Sequence, residues 1–200
     1  GRAHECLVAS NDMLYCVGDN DRGQLGNGST TAIPFVPYPS TLAATGLTDA
    51  RIVDAGGDST CAVVGSSDVW CWGGNERGQL GDGTTTDRTL PTRVAGLSDV
   101  VSLSVGSDHA CAAGGSGVLR CWGANTSGQL GDSTTIDHPL PTVVSGLTNV
   151  TSVTAGAGST CAIGDRGTAK QQVFCWGRND WGQVGDGTTT ERHEPALVRF

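Results

Sequence analysis

An all-β fold, assembled from about four copies of a four-stranded antiparallel unit, is what the amino-acid sequence implies. The 200-residue chain repeats itself at a period near fifty residues, and its eight cysteines fall into four regular pairs. Its composition also lacks the residues from which long helices are made. It holds 31 glycines, a single methionine and only 16% charged residues, where amphipathic helices draw on Leu, Ala, Glu and Lys in quantity. Two hundred residues are enough for one sizeable core.

The balance of charge and apolarity narrows the function. Lys and Arg total 12 against 20 Asp and Glu, a formal net charge of −8. Such a surface repels phosphate backbones, so nucleic acid is not an expected partner. No apolar run approaches the roughly 18 residues of a membrane-spanning helix. The start, Gly1-Arg2-Ala3-His4, reads as neither an initiator methionine nor a signal peptide, so any leader is expected to be already removed or outside this sequence.

The cysteine pairs are Cys6 with Cys16, Cys61 with Cys71, Cys111 with Cys121 and Cys161 with Cys175, the first three ten residues apart and the last fourteen. Even separations place both members on one side of a hairpin. Joining Cys61 to Cys71 also sets Ala62 against Trp70, Val63 against Val69 and Val64 against Asp68, leaving Gly65-Ser66-Ser67 as a three-residue turn. The four extra residues of the last pair lengthen its hairpin without flipping its faces. Opposed residues at a non-hydrogen-bonded site come close enough for a disulfide, so four local disulfides are expected. No CxxC occurs, which argues against zinc. Disulfides point to an oxidising location: extracellular, at the cell surface, or periplasmic.

Around each pair the copies share further blocks. VGDNDRGQLGNGSTT (17–31), WGGNERGQLGDGTTT (72–86), WGANTSGQLGDSTTI (122–136) and WGRNDWGQVGDGTTT (176–190) follow the second cysteine. TGLTDARIVDAG (45–56), AGLSDVVSLSVG (95–106) and SGLTNVTSVTAG (145–156) lie between copies. In the third copy, alternation predicts a first strand over 100–105, a second over 107–113, a third over 118–123 and a fourth over 141–144. The Gly- and Thr-rich stretch is the loop before strand four, with glycines supplying positive φ. One such sheet cannot bury both faces alone, and stacking copies around an axis does so; this is the logic of a β-propeller. The whole chain, 1–200, then forms a single repeat domain with units 1–45, 46–95, 96–145 and 146–200. The first is incomplete, because Gly1 begins about where a first strand should end.

These blocks, an AGxxHTCA-like strand followed by CWGxNxxGQLGDGTTT and PxxVxGL, resemble the regulator of chromosome condensation repeat over essentially all 200 residues. The resemblance implies a β-propeller, usually of seven blades. The cysteine pairs with CWG look like the secreted bacterial branch of that family, found in surface or lipoprotein-type chains. Four copies leave three arrangements open: part of a longer propeller, a ring of four closed on itself, or an assembly completed by other chains through open strand edges.

Candidate site residues follow from what varies. The tryptophans Trp72, Trp122 and Trp176, with Val17 in the first copy, recur at one position, as core packing requires. Asn20, Asn75, Asn125 and Asn179, with Gln24, Gln79, Gln129 and Gln183, are expected to satisfy backbone groups in their loops. Between them the motif varies: Asp21-Arg22, Glu76-Arg77, Thr126-Ser127 and Asp180-Trp181. Variation on a constant scaffold is how repeat proteins make a binding face, so these eight are the candidate partner-binding residues. His4 and His109 sit two residues before a cysteine, but a disulfide removes the thiolate that a Cys–His dyad needs. The turn acids Asp82, Asp132 and Asp186 lack EF-hand spacing and cap backbone amides instead. No metal, cofactor or catalytic set is expected.

The reading is a secreted or cell-surface propeller, not an enzyme, serving as a rigid protein-interaction or structural module. Its partner is another protein or copies of itself. Alternatives are an enzyme inhibitor like the propellers that block β-lactamase, a surface assembly or filament subunit, and, remotely, the GTPase guanine-nucleotide exchange that the family resemblance implies.

Overall fold

Alternating residues and glycine-rich turns produce fifteen strands in four antiparallel sheets in the computed structural model, which describes residues 1, 3–33, 42–43 and 47–199. The first sheet holds β1 (His4–Val8), β2 (Leu14–Gly18) and the two-residue β3 (Leu42–Ala43). The second holds β4 (Ala50–Gly56), β5 (Ser59–Val64), β6 (Asp68–Gly73) and β7 (Arg88–Val94). The third holds β8 (Val100–Val105), β9 (His109–Gly114), β10 (Leu119–Gly123) and β11 (His138–Val143). The fourth holds β12 (Thr148–Ala155), β13 (Ser159–Arg166), β14 (Ala169–Gly177) and β15 (Arg192–Leu197). Each sheet is a meander in sequence order, and consecutive sheets pack β1 on β4, β4 on β8 and β8 on β12. This is the blade arrangement of a β-propeller.

The hairpin register is the one the cysteine spacing demands. Cys61 faces Cys71, Ala62 faces Trp70, Val63 faces Val69 and Val64 faces Asp68. The four disulfides join Cys6 to Cys16, Cys61 to Cys71, Cys111 to Cys121 and Cys161 to Cys175. Their Cα atoms lie 4.1 to 4.2 Å apart, the close approach of a non-hydrogen-bonded pair. In the fourth sheet Cys161 on β13 faces Cys175 on β14, and the extra residues lengthen both arms, pairing Gly164 with Gln172 and Arg166 with Ala169. Two boundaries differ from the sequence expectation by more than one residue. Strand β9 starts at His109, two residues later than expected, and β11 starts at His138, three residues earlier. The prolines at 139 and 141 lie inside β11, where an edge position makes the missing N–H harmless.

The core is divided among the seams between sheets. At the first seam Leu14, Cys16 and Leu25 meet Ala50, Ala62 and Trp72. At the second, Cys61, Val63, Val69, Cys71 and Leu80 meet Leu103, Val105, Ala110, Ala112 and Trp122. At the third, Cys111, Leu119, Cys121 and Leu130 meet Val153, Ala162, Phe174 and Trp176. The first three sheets thus turn their disulfides toward the next sheet, and the three tryptophans are fully buried at the seams. The fourth disulfide departs from that environment. Cys161 is only half-buried, and Cys175, though buried, joins none of the three seam cores, because no sheet follows among the described residues. Near the axis the first strands approach backbone to backbone. A Cβ on Gly106 would lie 2.4 Å from the Gly156 carbonyl oxygen, so only glycine fits.

Candidate interaction face

The loop between third and fourth strands is held open by two side chains. Asn75 Nδ2 donates to the Thr86 carbonyl at 3.0 Å, while its Oδ1 accepts from the Leu80 amide at 3.0 Å. Gln79 Oε1 accepts from the Arg77 amide at 2.9 Å. The loops of Asn20, Asn125 and Asn179 repeat the Oδ1 contact on Leu25, Leu130 and Val184, and Gln24, Gln129 and Gln183 repeat the amide contact on Arg22, Ser127 and Trp181. The two residues between Asn and Gly are therefore fixed in backbone and directed outward in side chain.

Their surroundings differ from sheet to sheet. Asp21, Glu76, Thr126 and Asp180 are exposed, and Trp181 is 86% exposed. The arginines are less free than their positions in the motif imply. Arg22 bridges forward to Glu76 at 2.6 Å and Asp87 at 3.0 Å, both on the second sheet's loop, and Arg77 bridges to Asp137 at 3.3 Å on the third. Ser127 is half-buried, and Asp180 pairs with Arg178 of its own loop. The eight positions form an arc of four loops, tied across the first two seams by ion pairs. The sequence pattern located this arc; it did not reveal the pairings, because Asp87 and Asp137 lie 65 and 60 residues beyond their arginines.

The first three loops also dock on the sheet that follows. Trp72 Nε1–H donates to the Gln24 carbonyl, Trp122 to Gln79 and Trp176 to Gln129, each at 2.9 Å. The amides of Gly28, Gly83 and Ser133 donate across the same seams to the carbonyls of Thr89, Pro139 and His193, again at 2.9 Å. Gly81, at φ +69°, would drive a Cβ to 2.8 Å from Trp122 Nε1. The GQLG block is thus a docking tongue, and its constancy is explained by packing.

The histidines are structural. His109 Nε2 lies 2.8 Å from Thr160 Oγ1, and His4 Nε2 lies 2.8 Å from Thr60 Oγ1. Since each threonine hydroxyl donates to a glutamine carbonyl, the histidine Nε2–H donates and Nδ1 is left bare and buried. Desolvation pushes both rings down to about 4. Among the described residues no cysteine is free, and no group of three or more His, Cys, Asp or Glu is placed to hold a metal ion. No helix among them is long and apolar enough to cross a membrane.

Seams, tongues and stapled sheets define a blade-repeat propeller. The family model described as "Regulator of chromosome condensation (RCC1) repeat" matches residues 11–63, 66–113, 116–163 and 170–200, and the chain belongs to that family. The repeat it marks is out of step with the sheets: 66–113 takes in β6 and β7 of one sheet with β8 and nearly all of β9 of the next.

Among relatives, the X-linked retinitis pigmentosa GTPase regulator of Mus musculus is 36% identical over 88 residues, covering 44% of this chain and 8% of that protein. The ultraviolet-B receptor UVR8 of Arabidopsis thaliana is 36% identical over 96 residues, covering 47% and 21%. Human WBSCR16 superposes with a TM-score of 0.84 at 21% identity, over all of this chain and 52% of that one. A chain in the crystal structure of Kap60 bound to yeast RCC1 (Prp20) gives 0.82 at 21% identity, over all of this chain and 47% of that one. The chain therefore spans about half of these solved structures and a smaller share of the sequence relatives.

Proposed function

We propose that this chain works outside the cytosol as a rigid propeller scaffold that binds another protein through its loop arc and catalyses no reaction. The observation that carries the reading is the contrast within the loops. Asn, Gln and Gly hold one backbone geometry in all four, while the outward pairs change from Asp-Arg and Glu-Arg to Thr-Ser and Asp-Trp. A bare tryptophan on a fixed backbone is a low-entropy anchor for a protein partner. Four disulfides support an oxidising extracellular, surface or periplasmic location. The solved structure named for yeast RCC1 bound to Kap60 supports protein binding as a use of this fold.

The test is capture of partners from the fluid or surface extract of the source cells. Wild-type protein is compared with an Asp21→Ala, Thr126→Ala, Trp181→Ala triple variant. The variant should keep its thermal unfolding curve and lose the captured species. Equal capture by both removes the arc as the binding face.

A further inference from the structure

The hairpin turns of the first three sheets have the same length but not the same shape. In the first and third sheets the last turn residue is left-handed, Asp12 at φ +61° and Gly117 at φ +78°. Its carbonyl then reaches across the seam: Asp12 accepts from the Ala50 amide at 3.1 Å and Gly117 from the Val150 amide at 3.0 Å. In the second sheet Ser67 holds that position and is not left-handed, because its Cβ opposes a positive φ. Gly65, first in the turn, takes φ +62° instead. Among the described residues, no backbone hydrogen bond then joins Ser67 to the third sheet.

The donor left over is the Val100 amide. Val100 faces Gly114 as a non-hydrogen-bonded pair, since the Gly115 amide donates to the Asp99 carbonyl at 2.7 Å. Its N–H therefore turns out of its own sheet and into the seam, and meets no acceptor among the described residues. Val100 is buried, and buried backbone donors are almost always paired. A groove of about 430 Å³ lies at this point, within the size of small-molecule sites. Half-buried Ile52 and buried Val63 and Val100 form its apolar floor, and exposed Arg51, Ser66 and Asp99 its rim. Arg51 touches only the Gly65 carbonyl, at 3.3 Å, and the Asp99 carboxylate has no partner among the described residues. At the third seam the same positions are Val101 and Asn149, and Asn149 donates to Asp165 of its own sheet at 2.9 Å. That seam lacks the pair of charges.

We propose that this groove between the second and third sheets binds a free α-amino acid with a branched apolar side chain. Its carboxylate accepts from the Val100 amide and the Arg51 guanidinium, its ammonium faces Asp99, and its side chain covers Ile52 and Val63. The two charges select a zwitterion, because Asp99 repels a bare carboxylate and Arg51 a bare amine. The groove lies at the opposite end of β6 from the loop arc, so it is independent of the loop-arc reading.

The test titrates L-leucine into the full chain while amide NMR signals are followed. In support, the Val100 signal shifts saturably. Leucinamide, 4-methylpentanoate and glycine, which lack the carboxylate, the ammonium and the side chain, should each leave it in place at the same concentration. Arg51→Gln and Asp99→Asn should each weaken leucine binding about tenfold or more. Asparagine also tolerates the left-handed backbone of Asp99, at φ +50°. A Gly65→Ser, Ser67→Gly double variant should take up the turn of the third sheet, slow Val100 amide exchange and abolish binding. The proposal is overturned if Val100 stays unmoved up to the solubility limit of leucine, or if 4-methylpentanoate or leucinamide binds as well. It is also overturned if the turn variant protects Val100 and still binds leucine, or if glycyl-leucine binds more tightly, since the occupant would then be a chain end.

Discussion

Trp122 reaches across the seam between the second and third sheets to place its indole N–H 2.9 Å from the main-chain carbonyl of Gln79. The ring is fully buried, so one side chain both fills the seam and satisfies an otherwise orphaned carbonyl. Replacing Trp122 with Ala should cost about 3–5 kcal/mol. Trp122→Phe should cost less, about 1–3 kcal/mol, mainly the unsatisfied Gln79 carbonyl. Urea unfolding of both variants measures the difference, and equal losses would mean the hydrogen bond contributes nothing.

The disulfides should add stability sheet by sheet. A Cys111→Ala, Cys121→Ala double variant should lose about 2–3 kcal/mol, the lower part of the usual range because the closed loop is short. Thiol titration of the unfolded wild type without reductant should find essentially no free cysteine, since all eight are paired.

Acid should weaken the fold before its carboxylates titrate. His109 is held down to about 4 by desolvation, against about 6.5 when unfolded. Between those values the unfolded chain binds the proton and the folded chain does not. Stability is therefore full above pH 6.5 and falls as pH drops toward 4, by about 3 kcal/mol for this ring. His109→Asn should flatten that part of the curve. Below pH 4 the loss continues as Asp186 titrates, held down to about 2 chiefly by the Thr188 hydroxyl and by Arg192.

The bridge from Arg22 to Glu76 and Asp87 is half in solvent. Arg22→Ala should change stability by less than about 1 kcal/mol, with the difference shrinking further at high salt. A larger effect would mark the loop arc as a structural strap.

Asn27-Gly28 is a sequence that deamidates when the glycine amide can attack the asparagine side chain. Here the Gly28 amide is bound to the Thr89 carbonyl of the second sheet, and Asn27 Oδ1 accepts from the Ser29 amide and hydroxyl. Mass spectrometry of the peptide should find deamidation slow in the folded protein and fast in urea. Asparagine also suits the site electrically. Asp82, Asp132 and Asp186 pair with Arg88, His138 and Arg192, where the first sheet has Ile33.

What could be read from residues alone was whatever repeats within one sheet. Period-two alternation and the even cysteine spacing give the hairpin register of Cys61 and Cys71 down to the Val64–Asp68 pair, and they carry over to Cys161 and Cys175 despite the longer loop. What lies between sheets was less legible. Arg22 and Arg77 look like free surface anchors in the motif, yet their acids sit on the following sheet, and nothing local points to Asp87 or Asp137. The role of GQLG was hidden for the same reason, since Gly81 is explained by an indole from another unit. Strand β11 began early because prolines, which usually mark a strand's limit, are tolerated on its outer edge.

The half-step offset between the repeat and the sheet has an evolutionary corollary. With every copy interlocked through its neighbours at the same structural address, a gene that gains or loses one whole period, wherever the break falls, still encodes strands that find their mates. Length can then drift by entire modules while the joints between them stay intact.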